Sequence, residues 1–252
     1  MNWGLQKHGH VIMLRAWALV LLLLTAPLLY YIKPRLPPNT SGGMNLRFLR
    51  TRTFWLLQIG NILQGLGYFI PAIYLPSYAR SLSLSHLSAS LTVSLLNAAS
   101  VVGQVTLGFL TDKVSVAVVT SISTAGSALA IFAFWGFAES LPLLAVFAVV
   151  YGLFAGGFGA TWTGIIREVR RREPGAETGM MLGCLAAGRG VGNVLAGPIS
   201  EALVRDGAWR APGASGAYGS SYGALIIFTG ITALLGGVGC VARWLDERGQ
   251  KA

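Results

Sequence analysis

The chain has 252 residues, of which 54% are hydrophobic and 11% charged, and its mean hydropathy is +0.62. Soluble domains carry roughly 25% charged residues, so this balance excludes an ordinary water-soluble fold and fits a chain solvated by lipid. The net charge of +10 falls in short Lys and Arg clusters between long apolar runs, which excludes a basic nucleic-acid-binding face interleaved with aromatics.

A bilayer core about 30 Å thick needs roughly 20 apolar residues per helix. Seven stretches reach that length: 12–32, 53–78, 88–110, 116–137, 142–165, 179–204 and 221–244. They are continuous and lack the two-residue alternation of barrel strands, so the predicted fold is an all-α multi-pass membrane protein with seven transmembrane helices. The first stretch is longer than the apolar core of a secretory signal and ends in Tyr30, Tyr31 and Lys33 without a small-x-small site. It reads as a membrane helix and not as a cleaved leader.

Positive side chains set the expected orientation. Lys33, Arg35, Arg47, Arg50, Arg52, Lys113, Arg167, Arg170, Arg171, Arg172, Arg243, Arg248 and Lys251 fall in one set of connections, and Lys7, Arg80, Arg205 and Arg210 in the other. The richer set belongs in the cytoplasm. The amino terminus is then outside, the carboxy terminus inside, and the sequon Asn39-Thr40-Ser41 is cytoplasmic and unmodified. Plasma membrane is the expected location. Residues 33–52, with Pro34, Pro37, Pro38, Gly42 and Gly43, read as a cytoplasmic linker. It joins the first helix (residues 1–32 with the external amino terminus) to a six-helix block at 53–244, and residues 245–252 form a cytoplasmic tail.

Charged side chains at membrane depth are costly, so each is a candidate functional group. Arg189 lies near the middle of the sixth stretch, with Asn193 one turn away on the same face. Its guanidinium fork either binds a substrate carboxylate bidentately or pairs inside the bundle. Asn61, Gln64 and Tyr68 in the second stretch, and Asn97, Ser100 and Gln104 in the third, recur at i, i+3 and i+7. Each set makes a polar stripe that either lines a water-filled path or hydrogen-bonds between helices. The second and fifth stretches are interrupted, by Gly60, Gly65, Gly67, Pro71 and Pro76 and by Gly152, Gly156, Gly157 and Gly159 respectively. Such interruptions mark either sites of motion in carriers or close packing by small residues, as Gly152-x-x-x-Gly156 and Gly188-x-x-x-Gly192 would do.

Cys184 and Cys240 sit in apolar segments without metal-ligand spacing and read as small packing residues. His8, His10 and His86 lie far from any Cys or carboxylate cluster, so no metal is expected. The absence of a phosphate-cradling glycine loop leaves no cofactor expected, no ATP-driven step, and no enzyme.

Several runs resemble fungal permeases of the monocarboxylate-transporter family within the major facilitator superfamily. They are Lys33-Pro34-Arg35-Leu36-Pro37, Arg52 to Gln58, Tyr151 to Phe158, Trp162 to Glu168 and Ala187 to Asn193. Gly108-Phe109-Leu110-Thr111-Asp112-Lys113 is similar to the superfamily's Gly-x-x-x-Asp-Arg/Lys loop signature. There Gly108 permits close helix approach, and Asp112 at a helix junction can face a helix amino terminus or an arginine, with Arg167 the expected partner and Lys113 completing the signature. The resemblance implies that 53–244 are helices seven to twelve of a twelve-helix carrier and that the first stretch is helix six. It also implies a truncated carrier that works with a missing amino-terminal six-helix half in the lipid bilayer. The implied activity is secondary or facilitative transport of a small organic solute, with a monocarboxylate-like anion as substrate. Ser100 and Gln104 stand where the animal members carry an Asp and an Arg, which departs from proton-coupled lactate-type transport by that pair. Two other readings compete: a non-transporting subunit or regulator derived from a carrier, and a seven-helix receptor. The receptor is disfavoured because the last helix holds no lysine for a Schiff base.

Overall fold

A computed structural model describes residues 2–31, 46–205 and 215–239. The described residues contain helices and turns and no strand. The chain divides into two units, residues 1–44 and 45–252.

The first unit contains helix α1 (Asn2–Tyr31), whose apolar part is Val11–Tyr31. At about 1.5 Å per residue these 21 residues reach about 32 Å, enough to cross a bilayer core. Pro27 lies inside the helix, and the Thr25 hydroxyl donates to the Leu21 carbonyl at 2.7 Å.

The second unit is a helical bundle. Its elements are α2 (Arg52–Tyr68), α3 (Ile70–Ser81), α4 (His86–Lys113), α5 (Val116–Leu129), α6 (Leu141–Gly156), α7 (Trp162–Arg172), α8 (Thr178–Arg205) and α9 (Gly223–Leu235). α2 with α3, α4, α5 with the π-helical turn Ala130–Trp135, and α6 with α7 are each long and apolar enough to cross a membrane. α8 has 28 residues but carries Arg189 and Asn193 at its centre. α9 is shorter, 13 residues within the described range, and the remainder of the predicted 221–244 span lies outside the described residues. So do Asn39, most of the 33–52 connection and the 245–252 tail. Residues 46–51 depart from the picture of a free linker. Arg47–Arg50 form a 3-10 turn that inserts Phe48, 0% exposed, edge-on to Phe54 at 4.9 Å between ring centroids. Phe48 is apolar and lies next to a groove of apolar side chains, so burial outweighs the polar composition around it.

Both glycine- and proline-rich spans are broken. α2 stops at Tyr68, Phe69 forms the junction, and Pro71 sits in the first turn of α3, where its missing N–H is harmless. In the other span α6 stops at Gly156, and Gly157–Thr161 wind as a tighter 3-10 segment before α7 begins.

Packing between helices relies on absent side chains, because lipid offers no hydrophobic force to press helices together. Where α4 meets α6, a Cβ on Gly103 would strike the Leu153 backbone, one on Gly152 the Leu96 carbonyl, and one on Gly156 the side chain of Ser100. Where α2 meets α8, Gly188 faces Gln58 and Gly192 faces the Ile62 carbonyl. Several buried hydroxyls are satisfied within their own helices, as Ser100 is by the Leu96 carbonyl at 2.8 Å and Thr229 by that of Leu225 at 2.7 Å, whereas Ser123 reaches across to the Phe154 carbonyl at 2.7 Å. Two apolar clusters hold the bundle together. One contains Tyr78, Trp135, Leu144, Phe147 and Tyr151, with Trp135 stacked on Phe147 at 5.1 Å. The other gathers Phe48, Phe54, Val116, Ile165, Val169, Met181 and Leu185 beneath the basic end of α7.

Candidate functional site

The polar centre of the bundle lies where α2 crosses α8. Gly65 makes that crossing possible: its α-carbon faces the Arg189 backbone and the Asn193 side-chain oxygen, at a distance that leaves little room for a methyl group. Arg189 and Asn193 are thus gathered at this crossing, while Gln64, one residue before Gly65, turns its side chain to Gly236 just beyond α9. The Arg189 guanidinium lies 4.5 Å from the ring centroid of Tyr68 and 5.6 Å from that of Phe158, within the range of attraction between a cation and an aromatic face. Its Nη1, the Oε1 of Gln64 and the Oδ1 of Asn193 are buried without a hydrogen-bond partner among the described residues. No carboxylate forms an ion pair with Arg189 among the described residues. The α2–α8 crossing therefore offers one unmet donor, on Arg189, and one unmet acceptor, on Asn193, beside two aromatic faces.

The remaining polar candidates take other roles. Asn61, 0% exposed, donates to the Leu185 carbonyl at 2.8 Å and accepts from the indole N–H of Trp162 at 3.1 Å. It thereby ties α2 to α7 and α8, and its amide also donates to the Gln58 side-chain oxygen within α2 at 3.4 Å. Gln58, one turn earlier, ties α2 to the Cys184 carbonyl at 2.7 Å. In α4, Ser100 is buried under Gly156, while Asn97 and Gln104 are exposed. The α4 stripe is therefore split between the protein interior and its surface, because the close α4–α6 approach rotates Ser100 inward.

Three side chains important to this geometry carry no charge and lie outside both polar stripes. Phe158 supplies the second ring against Arg189 because the 3-10 segment turns it inward. Trp162 reaches Asn61 from the first turn of α7. Tyr151 is buried in α6, and its hydroxyl donates to the Tyr68 carbonyl at 3.1 Å, which the break in α2 leaves without its helical partner. Phe158 and Tyr151 belong to one of the family-like runs, but only the fold shows what they touch.

At the basic end of the bundle, Arg167 reaches the end of α4. The expected Arg167–Asp112 pairing takes a different form: Arg167 Nη2 donates to the Thr111 carbonyl at 2.6 Å. The last carbonyls of a helix lack intrahelical donors and carry partial negative charge, so a guanidinium finds there an acceptor and part of the attraction a carboxylate would supply. Asp112, Lys113 and Arg167 together line a cavity of about 330 Å³. Gly108 has Ala160 as its neighbour, at ordinary contact distance, and Lys113 reaches back over the Phe109 ring at 5.4 Å.

Broken spans, glycine-mediated crossings and a central, partly buried arginine define an integral multi-pass membrane bundle of transporter type. Residues 57–252 match the Major Facilitator Superfamily, and the chain belongs to that family. It is 35% identical over 115 residues to the MFS-type transporter pytF of Aspergillus terreus, covering 44% of this chain and 36% of that protein. It is 29% identical over 194 residues to the MFS-type transporter pynF of Aspergillus niger, covering 75% and 44%. It is 28% identical over 177 residues to the aspyridones efflux protein apdF of Emericella nidulans, covering 69% and 35%. The chain spans less than half the length of each of these relatives.

Proposed function

We propose that this chain is the carboxy-terminal half, with one preceding helix, of a secondary carrier for a small organic anion, and that Arg189 anchors the anion. One observation carries the reading: the buried Arg189 Nη1 has no partner among the described residues. A buried cation without a counter-charge is costly, and a substrate carboxylate or enolate would supply both the charge and the acceptor. Asn193 would accept from a hydroxyl or amide group of the same solute, Tyr68 and Phe158 would flank it, and Gln64 would line the path on the α9 side of α2. The broken spans support alternating access, since α2–α3 and α6–α7 each contain a joint at the depth of Arg189. The name of the Emericella nidulans relative supports export of an organic product over uptake of a metabolic acid. A monocarboxylate remains the simplest probe of the site. The same reading makes 1–32 the equivalent of helix six, 33–52 the cytoplasmic linker and 245–252 the cytoplasmic tail, and it places the carrier in the plasma membrane with an amino-terminal six-helix half as partner.

A second reading is favoured by the two ring contacts at Arg189: the arginine serves as an internal cross-tie between α8, α2 and the 3-10 segment, and the chain is a non-transporting subunit. Equilibrium binding to the solubilised chain separates the two. A labelled monocarboxylate should bind the wild type, its methyl ester should not compete, and Arg189→Gln should abolish binding. Equal binding by the variant, or equal competition by the ester, would refute the anion-anchor role.

A further inference from the structure

The basic end of α7 carries a second, separate feature. Thr163, Ile166, Arg167, Arg170, Arg171 and Pro174, together with Thr178 at the start of α8, line a cavity of about 470 Å³. That volume is in the range of small-ligand sites. Its charged lining is entirely basic, three arginines at i, i+3 and i+4 on one face of α7, while Ile165, Ile166 and Val169 are buried in the apolar cluster beneath. The neighbouring acid, Glu168, lines the other cavity, where it lies 3.6 Å from Arg171. Arg170 has no ion pair among the described residues.

Depth in the membrane decides what this cavity meets. α6, the 3-10 segment and α7 form one span of 32 residues, Leu141–Arg172. At about 1.5 Å per residue it is about 48 Å long, against about 30 Å of hydrocarbon and about 40–45 Å including headgroups. A span of that length outruns the hydrocarbon, so the basic last turn of α7 fits the headgroup region, on the side expected to face the anionic cytoplasmic leaflet.

We propose that this arginine-lined cavity is a binding site for the phosphorylated headgroup of an anionic phospholipid, with Arg170 and Arg171 as its principal contacts. Each guanidinium offers a planar pair of N–H donors that matches two phosphate oxygens. Arg167 shares the lining but is held by the Thr111 carbonyl, so a headgroup seated here would bear on the α4–α7 junction.

The test uses the full chain purified in a neutral detergent. Short-chain phosphatidylinositol 4-phosphate is titrated while thermal stability and lipid adducts in native mass spectra are followed. Phosphatidylcholine of the same chain length and soluble inositol phosphate are run in parallel. The phosphoinositide should bind and stabilise the wild type, and phosphatidylcholine should not. Arg170→Gln should weaken binding about fivefold, and the double substitution Arg170→Gln with Arg171→Gln about 30-fold, at roughly tenfold per 1.4 kcal/mol with about 1 kcal/mol per charge. Arg172→Gln, which removes a charge outside the lining, should bind like the wild type and reports that α7 remains folded. Undiminished binding by the double variant overturns the site. An equal loss in Arg172→Gln reduces it to nonspecific charge attraction, and equally tight binding of soluble inositol phosphate overturns the assignment to lipid.

Discussion

The hydroxyl of Tyr151 in α6 donates to the carbonyl of Tyr68, the last residue of α2, at 3.1 Å. This bond joins the two broken spans at the level of the Arg189 cluster, and the ring of the same Tyr68 lies under the guanidinium. Tyr151→Phe removes the bond and little volume. The melting temperature of the purified chain should fall by an amount corresponding to about 1 kcal/mol, in line with hydrogen bonds measured between membrane helices. An unchanged melting temperature would mean that the Tyr68 carbonyl finds another donor.

Asn61 should matter for folding more than for solute binding. Asn61→Ala strands the Trp162 indole N–H and removes the cross-helix bond to the Leu185 carbonyl, a loss of about 1–3 kcal/mol. Thermal unfolding and anion binding measured on the same sample check this. A variant of normal stability that fails to bind would return Asn61 to the solute path.

Glycines divide into those that touch a neighbour and those that do not. Gly103→Ala and Gly152→Ala place a methyl group against the backbone of the facing helix and should cost about 1–3 kcal/mol each by forcing α4 and α6 apart. Gly183→Ala and Gly190→Ala meet open space in α8 and should leave stability unchanged or slightly higher. Detergent-solubilised yield and melting temperature across the four variants read the contrast. Similar losses in both pairs would contradict the packing account.

The span boundaries were legible because continuous apolar length is a strong signal in lipid: the predicted 53–78, 88–110 and 179–204 appear as 52–81, 86–113 and 178–205. The breaks were legible too, since Gly67, Pro71, Gly156 and Gly157 weaken or cap helices whatever surrounds them. Arg189 stood out because charge at that depth is rare. Side-chain partners were less accessible. Asn61 and Gln64 share a stripe, yet one is fully hydrogen-bonded and the other keeps an unmet acceptor, a difference that depends on Trp162 and Leu185 from helices distant in sequence. Ser100 looked like a path residue, and its burial under Gly156 follows from an approach of α4 to α6 that spacing along one helix does not encode. Phe48 was hidden within a polar, proline-rich stretch whose composition outweighed its single aromatic ring.

The central claim is that the Arg189 cluster faces a solute path and not a sealed interior. The most direct measurement places a single cysteine at Asn193, in a chain with Cys184 and Cys240 replaced by alanine, and follows its reaction with a membrane-impermeant thiosulfonate in sealed vesicles. The account predicts that the cysteine reacts and that a small organic carboxylate slows the reaction while its methyl ester does not. A cysteine that stays unreactive, or one whose reaction the carboxylate leaves untouched, would contradict it.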